Sequence, residues 1–157
     1  METFGDLADR LSIARIRFEK LNEEGYDALK IDVVEKQISG LCKEMSEYIG
    51  RAIRGEVIIE APKVKIYHHE EASGSEASDI GEAISKLNEA NYKLWNLEDF
   101  RRDKSNSDQK RLKACDEVSD WNRKRNDCID LVNRILSENI NANSKYKDKN
   151  PSSEYEN

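Results

Sequence analysis

A chain of 157 residues, 37% hydrophobic and 37% charged, is long enough for one domain with its own core and carries the charge needed to wet long helices. Its formal charge of −6 argues against a nucleic-acid partner, because phosphate backbones reward clustered Lys and Arg. No apolar run approaches the roughly 18 residues that cross a bilayer, and the opening METFGDLADR lacks a signal-peptide core, so no membrane partner is expected either. Cys42, Cys115 and Cys128 are odd in number and show no CxxC spacing. That favours reduced thiols, packed as small core side chains, in a cytoplasmic protein.

Apolar residues recur at Leu7, Leu11, Ala14, Phe18 and Leu21. Steps of four and three keep one face apolar and predict a helix over 4–23. Thr3 with Asp6 three residues on has capping-box spacing. Asn22–Tyr26, with Gly25, reads as a turn. A second stripe, Val34, Ile38, Leu41, Met45 and Ile49, predicts a helix that stops at Gly55.

The texture then changes. EVIIEAPKVKIY is β-branched but holds Pro62, which excludes a central strand. It predicts an extended crossover, followed by a polar loop, HHEEASGSEASD. A third helix is expected from Asp79, whose spacing to Glu82 is again cap-like, to about Arg102. After the turn at 103–108, a fourth helix should run from about Gln109 to Glu138. The remainder lacks periodicity and predicts a disordered tail.

The two helical pairs match each other. GDLADRLSIARIRF (5–18) aligns with GEAISKLNEANYKL (81–94), setting Gly5 against Gly81, Arg10 against Lys86, Leu11 against Leu87 and Ala14 against Ala90. ISGLCKEMSEYI (38–49) aligns with VSDWNRKRNDCI (118–129), setting Leu41 against Trp121. The alignment predicts an internal duplication. A lone hairpin cannot bury both of its apolar faces, whereas two packed together can.

The halves differ in one respect. The third helix's stripe reads Ile80, Ile84, Leu87, Asn91, Leu94, Glu98, and the fourth's reads Val118, Asn122, Arg125, Ile129, Val132, Leu136. Polar residues thus stand where the first hairpin has Cys42 and Met45. Buried unpaired they would be costly, so they are expected to face inward and to satisfy one another or a ligand. The candidate strip is Asn91, Glu98, Asp99, Arg102, Asn122, Arg125, Asn126 and Asp127. The expected partners of Arg125 are Glu98, Asp99 or Asp127.

The run Trp95-x-x-Glu98-Asp99-x-x-Arg102, followed by Lys110-Arg111, Asp116 and Asn122-x-x-Arg125-Asn126-Asp127-x-Ile129, resembles a family of small bacterial helical proteins of unknown function. GDLADRLSIARIRFEKL resembles the opening of related proteins that begin G-E-L-x-D-(K/R)-L. The resemblance spans 4–55 and 80–137. It implies a helical fold and carries no activity, ligand or cofactor.

Phosphate-binding glycine loops and zinc spacings are missing from the sequence. His68 and His69 are adjacent in a loop and point apart on an extended chain, a poor chelate. Glu98, Asp99, Asp127 and Asp130 are the one catalytic option. As helix carboxylates they could hold Mg²⁺ against a phosphate, the design of all-helical nucleotide pyrophosphatases. Glu98 and Asp99, however, are neighbours about 100° apart on a helix.

The expected architecture is therefore all-α. It is a four-helix bundle of two related antiparallel hairpins (4–55 and 79–138) in one domain, 1–138, with an extended crossover over 56–78 and a disordered tail over 139–157. The expected function is a non-catalytic binding or scaffold module. It would recognise a protein partner or a polar small ligand through the second hairpin, without metal or cofactor. The alternative is a metal-dependent phosphohydrolase using the helix carboxylates. Neither catalysis nor oligomeric state is fixed by the residues.

Overall fold

The structure, a computed structural model, describes residues 2–25, 27–57, 59 and 76–149, the side chains of 143–149 excepted. It contains four helices: α1 (Phe4–Glu23), α2 (Ala28–Ile53), α3 (Ile80–Arg102) and α4 (Asp108–Lys149). No strand occurs among the described residues. The all-α, two-hairpin architecture expected from the sequence is the one observed. Most of the expected crossover, with Pro62, His68 and His69, lies outside the described residues, but Ile59 is buried in the core.

Local chemistry sets the helix ends. Thr3 caps α1: its hydroxyl accepts from the Asp6 N–H at 3.2 Å, and its own N–H donates to Asp6 Oδ2 at 2.9 Å. Both halves of a capping box are therefore present. α2 ends in a Schellman motif: Gly55, at φ 72°, donates to the Ala52 carbonyl and Glu56 donates to that of Arg51. Asp79 caps α3 by accepting from the Glu82 N–H at 2.9 Å, while Glu82 reaches back to the Ser78 N–H at 2.7 Å.

α1 is the central helix. It packs against α2, α3 and α4, whereas α2 packs chiefly on α1. α1 consequently buries more than one stripe: Phe4, Ala8, Asp9, Ser12 and Ile16 are buried as well as Leu7 and Ala14. α2 contributes Val34, Leu41, Tyr48 and Ala52 to the core and leaves Leu29 and Val33 exposed. The Phe4 and Tyr48 rings meet at 5.9 Å between centroids. On α4 the main core cluster takes Ile129, Leu131, Val132, Ile135 and Leu136, and Ala114 and Asn133 are buried as well.

Three expectations are corrected. α4 does not stop at Glu138 but continues as helix to Lys149; extending a nucleated helix costs little per residue. The rest of the expected tail, 150–157, lies outside the described residues. The cysteines are not core residues as a set: all three are free, Cys42 is exposed, and Cys115 and Cys128 are half-buried. Third, the first hairpin is not free of buried polar groups, because Thr3, Asp9 and Ser12 are all buried.

At Gly5, α1 comes close against the backbone of α4. A Cβ there would stand 2.4 Å from the Ile129 carbonyl oxygen, so only glycine fits. The Gly5 N–H, orphaned in the first turn of α1, donates to Asn133 Oδ1 at 2.7 Å, and Asn133 Nδ2 donates to Thr3 Oγ1 at 3.0 Å. α4 thus completes the cap of α1. A Cβ on Gly81 would meet only the Asp79 carboxylate, at 3.1 Å. Gly5→Ala should cost about 2 kcal/mol or more by forcing the helices apart. Gly81→Ala should change stability by less than about 0.5 kcal/mol, because helix propensity offsets the tight cap contact. Urea unfolding of the two variants measures the contrast, and equal losses would contradict it.

The α3 cap makes stability depend on acid. Hydrogen bonds from Ser78, backbone first and then side chain, together with Lys86, pull the Glu82 carboxyl from 4.5 to about 2. A carboxyl depressed in the folded state stabilises fully above its unfolded value and loses that contribution as pH falls. Glu82→Gln should therefore flatten the acid limb of the stability curve between about pH 4.5 and 2 and lower stability at neutral pH. Thermal melts across that range test this, and parallel limbs would refute it.

Candidate functional site

The polar strip converges where α1, α3 and α4 meet. α3 brings Asn91, Leu94, Trp95, Glu98, Asp99 and Arg102; α4 brings Asn122 and Arg125; α1 adds Ile13. Together they line a groove of about 260 Å³. Asn91, Glu98 and Arg102 recur at steps of seven and four along α3, one face of that helix. Asn122 and Arg125 lie three apart on α4 and share a face in the same way.

Six of the eight residues singled out from the sequence are brought together here. Asn126 and Asp127 are not. They follow Arg125 directly, so they rotate about 100° and 200° away from its direction. Asn126 is exposed and Asp127 half-buried. The strip also does not face inward as a whole: Asn91 is buried, Glu98 and Arg125 are half-buried, and Asn122 and Arg102 are exposed. It runs from core to solvent along the groove.

At the deep end is the residue that sequence reasoning missed. Asp9 of α1 is 4% exposed. Its Oδ1 accepts from Arg125 Nε at 2.7 Å and from Asn91 Nδ2 at 2.9 Å, and its Oδ2 accepts from Arg125 Nη2. The pairing is bidentate, the strongest geometry open to a guanidinium and a carboxylate. The hydrogen bonds to Asp9 raise the pKa of Arg125 above its ordinary value against the opposing effect of burial. The expected partners of Arg125 are thus replaced. Glu98 instead accepts from Arg101 Nη2 at 2.6 Å and lies 3.5 Å from Arg102 Nη2. Asp9 escaped notice because it lies off the stripe of Leu7, Leu11 and Ala14. The one signal was the pair of apolar residues on α1 outside that stripe, Ala8 and Ile16, which implies a helix packed on several sides.

The groove offers an amide pair, two carboxylates, two guanidiniums and an indole, flanked by Ile13 and Leu94. Its two carboxylates and two guanidiniums cancel in formal charge. Such a surface suits polar hydrogen-bonding groups laid along an aromatic edge. Among the described residues, no three His, Cys, Asp or Glu side chains come together as metal ligands. Asp127 and Asp130 do not join Glu98 and Asp99.

Arg125→Met should leave the buried Asp9 carboxylate with Asn91 alone and cost about 2 kcal/mol. That is less than for a fully buried pair, because the Arg125 side chain is 29% exposed. Adding Asp9→Leu should restore much of the loss. A double-mutant cycle by chemical denaturation measures the coupling, and strictly additive losses would show that the pair is not coupled.

Residues 81–155, which span most of α3, the turn and α4, match a family model described as a protein of unknown function, DUF4254. No curated protein and no solved structure matches the chain. No helix among the described residues is long and apolar enough to cross a membrane.

Proposed function

We propose that the chain is a non-catalytic binding module whose site is the groove between α1, α3 and α4. The observation that supports this most is convergence: polar residues scattered over 35 positions of sequence, from Asn91 to Arg125, line one groove beside Trp95. The occupant is a polar group, carried by a small ligand or by a partner protein's side chain. Asn91 and Arg125 are held in place by Asp9 before any ligand arrives, so little ordering entropy is lost on binding. The phosphohydrolase reading gains no such support, since its carboxylates are not gathered. A cytoplasmic setting goes with the proposal and is favoured by three free cysteines.

The same reading includes descent from a duplicated hairpin. Both halves open with a cap residue, an apolar residue, glycine and an acid: Thr3-Phe4-Gly5-Asp6 and Asp79-Ile80-Gly81-Glu82. In both, the cap side chain accepts from the acid's N–H. Packing demands the glycine only in the first half, so its presence in the second favours common descent.

The test is a thermal-shift screen of the full chain against sugars, nucleotides, amino acids and divalent metals. A ligand that raises the melting temperature should lose that effect in Asn122→Ala and Asp99→Asn, both exposed positions whose change leaves the fold intact. A ligand unaffected by either substitution, or metal-dependent turnover of a nucleotide, would overturn the proposal.

A further inference from the structure

Beyond the groove, we propose that the hollow at the tip of the second hairpin is a binding site for a phosphate-type oxyanion. Residues 101–113 carry six basic and two acidic side chains, a formal +4 in a chain of −6. The remainder is thus at −10, and positive charge is concentrated where α3 turns into α4. A hollow of about 510 Å³ opens there, lined by Arg101, Arg102, Asp108, Arg111, Leu112 and Cys115.

The Arg101 and Arg111 guanidiniums are held in place, and all three arginines have few acceptors among the described residues. Arg111 Nε donates across the hairpin to the Arg101 carbonyl at 2.9 Å, which fixes the Arg111 side chain against α3. Arg101 Nη2 donates to Glu98 at 2.6 Å, and the same carboxylate oxygen serves Arg102 at 3.5 Å. Arg101 Nε is buried and has no hydrogen-bond partner among the described residues. Asp108 meets Arg111 only at 3.3 Å and is itself 99% exposed, so it is easily displaced. Each guanidinium carries five N–H donors in a planar fork. Apart from the Glu98 and Asp108 carboxylates, the Arg101 carbonyl and the Cys115 thiol beside Arg101, these donors meet few acceptors among the described residues, and a tetrahedral oxyanion supplies several at once. The groove needs no net anion; the hollow does. The two share only Arg102, so the two proposals can fail separately.

The chemistry fits a free phosphate ester or a phospholipid headgroup, and the experiment separates them. Amide NMR of the full chain is titrated with inorganic phosphate against sodium chloride at equal ionic strength. Saturable shifts confined to about residues 98–115 are expected with phosphate alone. Arg111→Gln should weaken binding about tenfold, the loss of one charge-assisted contact. Because Arg111 also ties the hairpin, Arg102→Gln at an exposed side chain gives the same reading without risk to the fold. Asn122→Ala, confined to the groove, should leave phosphate binding unchanged. Co-sedimentation with phosphatidylcholine vesicles, with and without phosphatidic acid, forms the second arm. Binding to either probe sustains the site and names its source. Binding to neither, or phosphate binding untouched by both arginine substitutions, overturns it.

Discussion

One buried carboxylate holds the two hairpins in register. Apolar stripes packed against each other can slip by a turn at modest cost, because one aliphatic contact replaces another. Asp9 cannot slip. It sits on α1, which packs against all three other helices, and it is gripped from both helices of the second hairpin, by Asn91 of α3 and Arg125 of α4. A buried ion pair adds little net stability over a well-packed apolar one, because desolvation offsets the attraction. Its physical contribution here is specificity: any other seating of α1 leaves a carboxylate buried and unpaired. Asn133, bonded to Gly5 and Thr3, fixes the same interface about one turn along α1 and two along α4, and allows the helices to touch where glycine removes the obstacle.

Much of the fold was legible in the residues. The 3–4 spacing, the Thr3–Asp6 box, the Gly55 stop and the Asp79 cap each report a local event, and local events are what sequence encodes most directly. What depended on third parties was not legible. The burial of Asp9 follows from α1 having neighbours on several sides, and no single stripe reveals that. The end of α4 was missed for a related reason. NINANSK carries no apolar period, but a helix already propagating needs none, and Ile140 still reaches the core.

The candidate site was legible in half. Asn91, Glu98, Asn122 and Arg125 broke the apolar period, and an interrupted period in a helix that must pack points to a polar group with a partner. The identity of that partner was out of reach, because it required knowing which face of α1 meets the second hairpin. Asn126 and Asp127 were grouped with the strip by nearness in sequence. On a helix, nearness in sequence means divergence in direction.

The site's position has a consequence for how binding and folding are linked. Residues 81–155, the stretch that matches the family of unknown function, contain the polar strip and the arginine tip, but not Asp9 or Ile13. The groove is therefore completed by α1, and the tip hollow is not. An occupant of the proposed groove site would contact Arg125, whose orientation depends on α1 being docked, so its binding free energy would also favour docking of the two hairpins. An occupant of the proposed tip site would contact side chains of α3 and α4 alone and leave that docking unaffected. Two recognition surfaces on one hairpin would then respond differently to whatever loosens α1, the groove losing its floor while the tip keeps its shape.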